Sequence, residues 1–140
     1  MLQFLFDTDH LTLYQHDYPP LLQRLAAQPV DSVGICPVNI EEVMRGRLAT
    51  LGRALAGVHH VEAYSYLVDV VELFRRFPVV PFDDASETQF QALRKAKVRA
   101  GTLDFKIAAV ALANRLTVLT RNRSDFGRVP GLRIEDWSVP

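Results

Sequence analysis

Leu2-Gln3-Phe4-Leu5-Phe6 runs directly into Asp7-Thr8-Asp9-His10. A nearly continuous apolar run of strand length that stops at a polar turn reads as a strand buried on both faces, as in the interior of a parallel sheet. Working outward, Ser32–Val38 and Thr117–Thr120 repeat the pattern, with Pro37 making the second strand an edge or terminating one. Val79–Phe82 and Leu132–Ile134 read as two further short strands. Helical spacing fills the intervals. One segment starts near Leu11, one at Pro19-Pro20 and one at Asn39, the last with Gly46 and Gly52 weakening its continuity. An amphipathic helix spans Leu55–Phe77, another runs from the Asp83–Ser86 turn to Gly101, and an apolar one follows Thr102 as its cap. Arg121 to Gly131 reads as a loop. Strands alternating with helices imply right-handed crossovers, and so an α/β fold of three α/β/α layers around a central parallel sheet of four to five strands. No repeat or linker interrupts residues 1–140, which read as a single domain.

The composition agrees. Of 140 residues, 49% are hydrophobic and 23% charged, the balance of a globular chain rather than a disordered, coiled-coil or collagenous one. No apolar run reaches the roughly 18 residues of a membrane span, and the N-terminus lacks a basic-then-apolar leader pattern, so a cytoplasmic protein is expected. The single cysteine, Cys36, can form neither an intrachain disulfide nor a Cys-based zinc site, and reads as a small buried hydrophobe. The net charge of zero conceals an asymmetry. Residues 1–93 carry 6 basic and 12 acidic side chains, whereas 94–133 carry 10 basic and 2 acidic. A basic C-terminal third can bind phosphates locally, or form solvated helix faces.

Four acidic residues occupy equivalent places. Asp7 follows the first strand, Glu42 lies in the first turn of the helix after the second, Asp104 in the first turn after Thr102, and Asp125 in the loop after Thr117–Thr120. In an open α/β sheet the carboxyl ends of the strands line one crevice, so these carboxylates converge. Two unit charges about 5 Å apart repel by roughly 3 kcal/mol at an effective dielectric near 20. A helix N-terminus returns only about 0.3–1 kcal/mol. A divalent cation is the expected partner, and an all-oxygen donor set suits Mg²⁺ or Mn²⁺. Each residue also has a purely structural reading. Asp7 and Asp125 suit Asx turns, Asp104 complements a helix dipole, and Glu42 stands three residues after Asn39 as half of a capping box.

Four blocks in order carry a resemblance. They are Phe6-Asp7-Thr8-Asp9-His10-Leu11, Glu41-Glu42-Val43-Met44-Arg45-Gly46, Leu103-Asp104-Phe105-Lys106-Ile107-Ala108-Ala109, and Leu119-Thr120-Arg121-Asn122-Arg123-Ser124-Asp125-Phe126 followed by Val129-Pro130-Gly131-Leu132. The chain resembles the PIN-domain ribonucleases, and among them the VapC-type toxins of bacterial toxin–antitoxin pairs, over essentially its whole length. The resemblance implies a metal-dependent endoribonuclease in which Asp7, Glu42, Asp104 and Asp125 hold Mg²⁺ or Mn²⁺ and Thr120 and Asn122 support them. It implies hydrolysis by a metal-activated water that leaves a 5′-phosphate and a 3′-hydroxyl. One departure stands out: many relatives carry Asn where this chain has Asp9, which is expected to cap the following helix. His10 is expected in surface or cap packing, His59-His60 cannot both face one side of a helix, and Phe126 and Trp137 are expected as packing anchors.

Arg94, Lys95, Lys97, Arg99, Lys106, Arg121, Arg123 and Arg128 are candidates to guide RNA phosphates into the crevice. The resemblance further implies an antitoxin partner lying along an apolar groove. The first helices and Leu55–Phe77 are candidates for that groove and for a homodimer surface. Two other readings compete. Asp7-x-Asp9 after a strand is also the pattern of an aspartate-nucleophile phosphatase, although His10-Leu11 is an unusual continuation and the chain is short for one. A catalytically inactive PIN-like interaction module is the other.

Overall fold

The computed structural model describes residues 1–54 and 57–140. Its elements are β1 (Phe4–Phe6), α1 (Thr8–Gln15), α2 (Pro19–Ala26), β2 (Val33–Gly34), α3 (Pro37–Arg53), α4 (Val58–Arg75), α5 (Asp84–Lys95), α6 (Thr102–Asn114), β3 (Thr117–Leu119), α7 (Arg123–Phe126) and β4 (Ile134–Glu135). The four strands form one parallel sheet in the order β2-β1-β3-β4, within the four to five strands expected. β1 is central, with Phe4 and Leu5 against β2 and Phe4–Phe6 against β3. This explains why its run is apolar without alternation: both faces are covered.

Side chains alternate across the sheet. Leu5 and Val118 join a core with α5 and α6, where Phe90, Leu93 and Ile107–Ala111 are buried. Phe4, Phe6 and Leu119 point the other way, onto Leu11 of α1, Leu21 of α2, Leu73 of α4 and Trp137. Phe6 and Trp137 are almost wholly buried, each removal from water contributing about 2–3 kcal/mol. Trp137 packs edge-on to Phe4 with ring centroids 4.9 Å apart, so the anchoring role expected of it and of the buried Phe126 holds.

Several boundaries differ from expectation, each for a local reason. α1 begins at Thr8 because Asp7 caps it, its Oδ1 accepting from the His10 N–H at 2.7 Å. Asp9, expected as the cap, sits inside the helix. α3 begins at Pro37, whose missing N–H costs nothing at a first helical position, rather than at Asn39. Gly46 and Gly52 do not interrupt it. Val79–Phe82 is no strand: Val79 contributes one isolated bridge to Ile35 before Pro81 ends the pairing. α5 stops at Lys95, and Gly101 rather than Thr102 caps α6. The expected Arg121–Gly131 loop contains α7. Of the helix expected over Leu55–Phe77, Leu55 lies outside the described residues, as does the Val58 side chain; the described part ends at Arg75, before Pro78.

Candidate metal centre

The site grows from the shared ending of β1 and β3. These strands are parallel neighbours in register, and the Asp7 N–H donates to the Leu119 carbonyl at 3.0 Å, so both chains leave the sheet at one level. Asp7 follows β1 and Thr120 follows β3. The N-terminal half of α3 and the start of α6 complete the surroundings with Glu42 and Asp104.

Asp7 is buried, 4% exposed. Burial pushes its carboxyl up to about 7, aided by the charges of Asp9 and Asp104 and opposed by hydrogen bonds from Thr120 and the His10 N–H. The Thr120 Oγ1 accepts from the Asn122 N–H at 2.8 Å, which leaves its own proton for Asp7. Asp104 is pushed up to about 6 by burial first, then by the charges of Glu42 and Asp125, with Asn122 opposing. The charge of Asp104 is thus felt at Asp7, and those of Glu42 and Asp125 at Asp104.

Two neutral side chains link them. Asn122 Nδ2 donates to Asp125 at 3.0 Å and lies 3.3 Å from Asp104, so one amide spans both carboxylates. Its Oδ1 accepts from Ser124 Oγ and the Asp125 N–H, fixing the amide orientation and capping α7. On the other side, Thr8 Oγ1 donates to Glu42 at 2.7 Å and accepts from Asn39 Nδ2 at 3.2 Å. Glu42 is the sixth residue of α3, beyond its first turn, and takes no part in a capping box. That box is formed by Cys36 and Asn39. Asn39, fully buried, also accepts from the Cys36 N–H at 2.8 Å and donates to the Phe6 carbonyl at 3.1 Å.

Asn39 and Thr8 escaped the sequence reading. The available signal was Pro37 as a first helical residue, which places Asn39 where a side chain can turn back on the cap. Asn39→Ala would leave buried backbone partners unpaired at the end of β1, and a loss of about 2–3 kcal/mol is expected in urea unfolding. A change below about 0.5 kcal/mol would mean that those groups find other partners.

His10 is fully buried rather than at the surface. Its Nε2 lies 3.1 Å from the Trp137 backbone N–H and accepts from it, so the ring proton resides on Nδ1. Among the described residues Nδ1 has no hydrogen-bond partner, and it stands 3.6 Å from Asp7 Oδ1. Burial lowers the His10 pKa, keeping the ring neutral. Ligand atoms of Asp7, Asp9 and His10 lie within 4.8 Å of one another. A protonated Nδ1 is nevertheless a donor rather than a metal ligand, and both Asp9 oxygens are engaged by Arg121 at 2.7 and 2.6 Å. Glu42, Asp104 and Asp125 stand outside that tight group.

The remaining donors are carboxylate oxygens, and at Asp7 and Asp104 burial and neighbouring charge oppose ionisation. That chemistry fits a hard divalent cation, and Mg²⁺ commonly retains waters between itself and such a spaced set. Cys36 does not contribute: burial pushes its thiol up to about 11.

The basic residues divide. Arg94 and Lys106 both sit 5.7 Å from the Phe90 ring centroid, Arg128 donates to the Arg99 carbonyl, Lys95 and Lys97 are exposed, and Arg123 is exposed in α7. Arg121 is bonded at the rim itself.

A four-stranded parallel sheet covered by helices, with Asp7 at the end of its central strand and Glu42, Asp104 and Asp125 on α3, α6 and α7, defines an acidic α/β protein fold. The PIN domain model matches residues 12–132, and the chain belongs to that family. It is 28% identical over 144 residues to the tRNA(fMet)-specific endonuclease VapC of Salmonella typhimurium, covering 98% of this chain and 99% of that protein. It is 38% identical over 74 residues to the tRNA(fMet)-specific endonuclease VapC of Shigella flexneri, covering 49% of this chain and 56% of that one. Among solved structures it is similar to DNA-bound VapBC from Salmonella typhimurium, with a TM-score of 0.76 at 22% identity over 98% of this chain and 99% of that chain.

Proposed function

We propose that this protein is a divalent-metal-dependent endoribonuclease, the toxin of a toxin–antitoxin pair acting in the cytoplasm. The observation that carries the reading is the pair of hydrogen-bonded links around the end of β1, with Thr8, next to Asp7, holding Glu42 and one Asn122 amide reaching both Asp104 and Asp125. Membership of the PIN domain family and similarity to the VapC endonucleases support it. Among the described residues no helix is long and apolar enough to cross a membrane.

Asp7, Glu42 and Asp104 would hold Mg²⁺ or Mn²⁺, directly or through water, with Asp125 completing the site. Bound there, such an ion supplies Lewis acidity and a lowered pKa for water at a phosphodiester. The chain's own groups prepare the surroundings. Thr120 orients the Asp7 carboxylate by hydrogen bonding. Asn122 keeps Asp104 and Asp125 together despite their repulsion, and Thr8 holds Glu42 towards β1. Asp7 keeps its place by capping α1, so its position is set by backbone rather than by a flexible side chain. Burial of Asp7 and His10 excludes bulk water from beneath the crevice. The basic side chains of residues 94–128 would draw RNA phosphates towards it.

The apolar stripe Val61, Tyr64, Val68 and Val71 on α4 is exposed on the side away from the buried Ala63 and Val70. We place antitoxin or homodimer contacts on this helix and on α1 and α2. A phosphatase using Asp9 as acid/base is disfavoured by the double hydrogen bond that commits Asp9 to Arg121.

The deciding experiment incubates a mixed tRNA and ribosomal RNA pool with the protein in Mn²⁺ or Mg²⁺. Discrete cleavage that EDTA stops is the expected outcome. Turnover of small phosphate esters with a trapped aspartyl phosphate would establish the phosphatase instead, and neither activity would leave an interaction module.

A further inference from the structure

The Asp9–Arg121 pair contributes little as a brace. Its side chains are 45% and 50% exposed, and exposed ion pairs add at most a small fraction of a domain's stability. The segments it spans are already joined by the β1–β3 pairing and by the Asp7 N–H to Leu119 carbonyl bond. The geometry is that of anion recognition. Arg121 Nε donates to one Asp9 oxygen and Nη2 to the other, both short, in the fork arrangement that a guanidinium offers equally to a carboxylate or to two phosphate oxygens. Arg121 directly follows Thr120, the partner of Asp7, and the charges of Asp136 and Asp7 also act on it.

A phosphodiester approaching Asp7 and Asp104 meets negative charge from every side, so a cation fixed at the rim is what its entry requires. Of the eight basic residues nominated from the sequence, Arg94 and Lys106 are gathered over Phe90 and Arg128 holds the Arg99 carbonyl. We propose that Arg121 is the seat for a backbone phosphate of the RNA, and that Asp9 occupies this seat in the free protein as an internal competitor. RNA entry then exchanges one anion for another on the same guanidinium. The inference rests on RNA entering the acidic crevice. It gives Asp9 a role that an asparagine at the same position, lacking charge, would not fill.

The test is equilibrium binding of fluorescently labelled tRNA, read by anisotropy in EDTA so that no cleavage intervenes, over about 50 to 200 mM salt. Asp9→Asn is expected to tighten binding about three- to fivefold, the range open to an exposed ion pair. Arg121→Gln should weaken it and reduce the slope of log affinity against log salt by about one. Arg121→Lys, which keeps the charge and loses the fork, should recover part of the loss. In the Arg121→Gln background, Asp9→Asn should have no further effect. In Mn²⁺ the Asp9→Asn gain should fall on KM rather than kcat.

Equal tightening by Asp9→Asn with and without Arg121 would reduce the effect to one fewer negative charge and overturn the proposal. Weaker binding by Asp9→Asn, or no measurable binding of the unaltered protein at the lowest salt, would overturn it as well. The expected binding pattern without any RNA cleavage in Mn²⁺ would instead sink the nuclease reading and leave the phosphate seat standing.

Discussion

Asp7→Asn is expected to abolish RNA cleavage, by at least about a hundredfold, while making the metal-free protein more stable. The two effects share one cause. Asparagine is an equally good helix cap, so α1 keeps its start, and the substitution removes only the charge. That charge is costly where it stands: the Asp7 side chain is 5% exposed and its pKa is raised from 3.8 to about 7. Below pH 3.8 both folded and unfolded chains hold the proton and nothing is lost. Between the two values the unfolded chain has ionised and the folded one has not, so stability falls as pH rises, and above about 7 the loss is complete. The difference corresponds to an upper bound on the order of 4 kcal/mol. Asp7→Asn at pH 8 should therefore raise Tm by roughly 5–10 °C in EDTA, and by much less at pH 4. Undiminished cleavage would remove Asp7 from the chemistry, and a fall in Tm at pH 8 would show that its charge is compensated within the protein.

Mn²⁺ should stabilise the unsubstituted protein, and by more as pH rises. A cation must displace the protons that Asp7 holds up to about pH 7 and Asp104 up to about pH 6. Each carboxyl costs about tenfold in affinity per pH unit below its pKa, so affinity should grow on the order of a hundredfold from pH 5.5 to pH 8. At a concentration about 100 times Kd the ion adds about 2.7 kcal/mol of stability. Calorimetric titration at the two pH values, with proton release followed by a change of buffer, measures this directly. Asp7→Asn should flatten the profile. An affinity independent of pH would mean that the ion binds elsewhere.

The layered fold was legible because β1 and β3 are buried on both faces and, apart from Thr117, carry only apolar residues. The positions of Asp7 and Asp104 were readable for a related reason: they sit at the starts of α1 and α6, where sequence position translates into spatial position, whereas Glu42 lies beyond the first turn of α3. What joins the acids was not. Thr8 with Glu42, and Asn122 with Asp104 and Asp125, are contacts across 34, 18 and 3 positions whose geometry depends on how α3, α6 and α7 pack. Asp9 was misread as a cap because Asp7 and Asp9 are equally suited to that role by type. The choice is made by where β1 ends, and that level is set by β3. Val79–Phe82 misled in the opposite direction: its residues favour a strand, but two prolines leave room for a single bridge.

The shared amide of Asn122 has a practical consequence. Its two protons lie on a single nitrogen placed between Asp104 and Asp125, while its oxygen is pinned by Ser124 and the start of α7. Such a group cannot rotate away when its neighbours gain or lose a proton. In a nitrogen-labelled sample, the paired resonances of this one side chain would serve as a built-in voltmeter for the crevice, moving with every change of charge on the two acids it straddles.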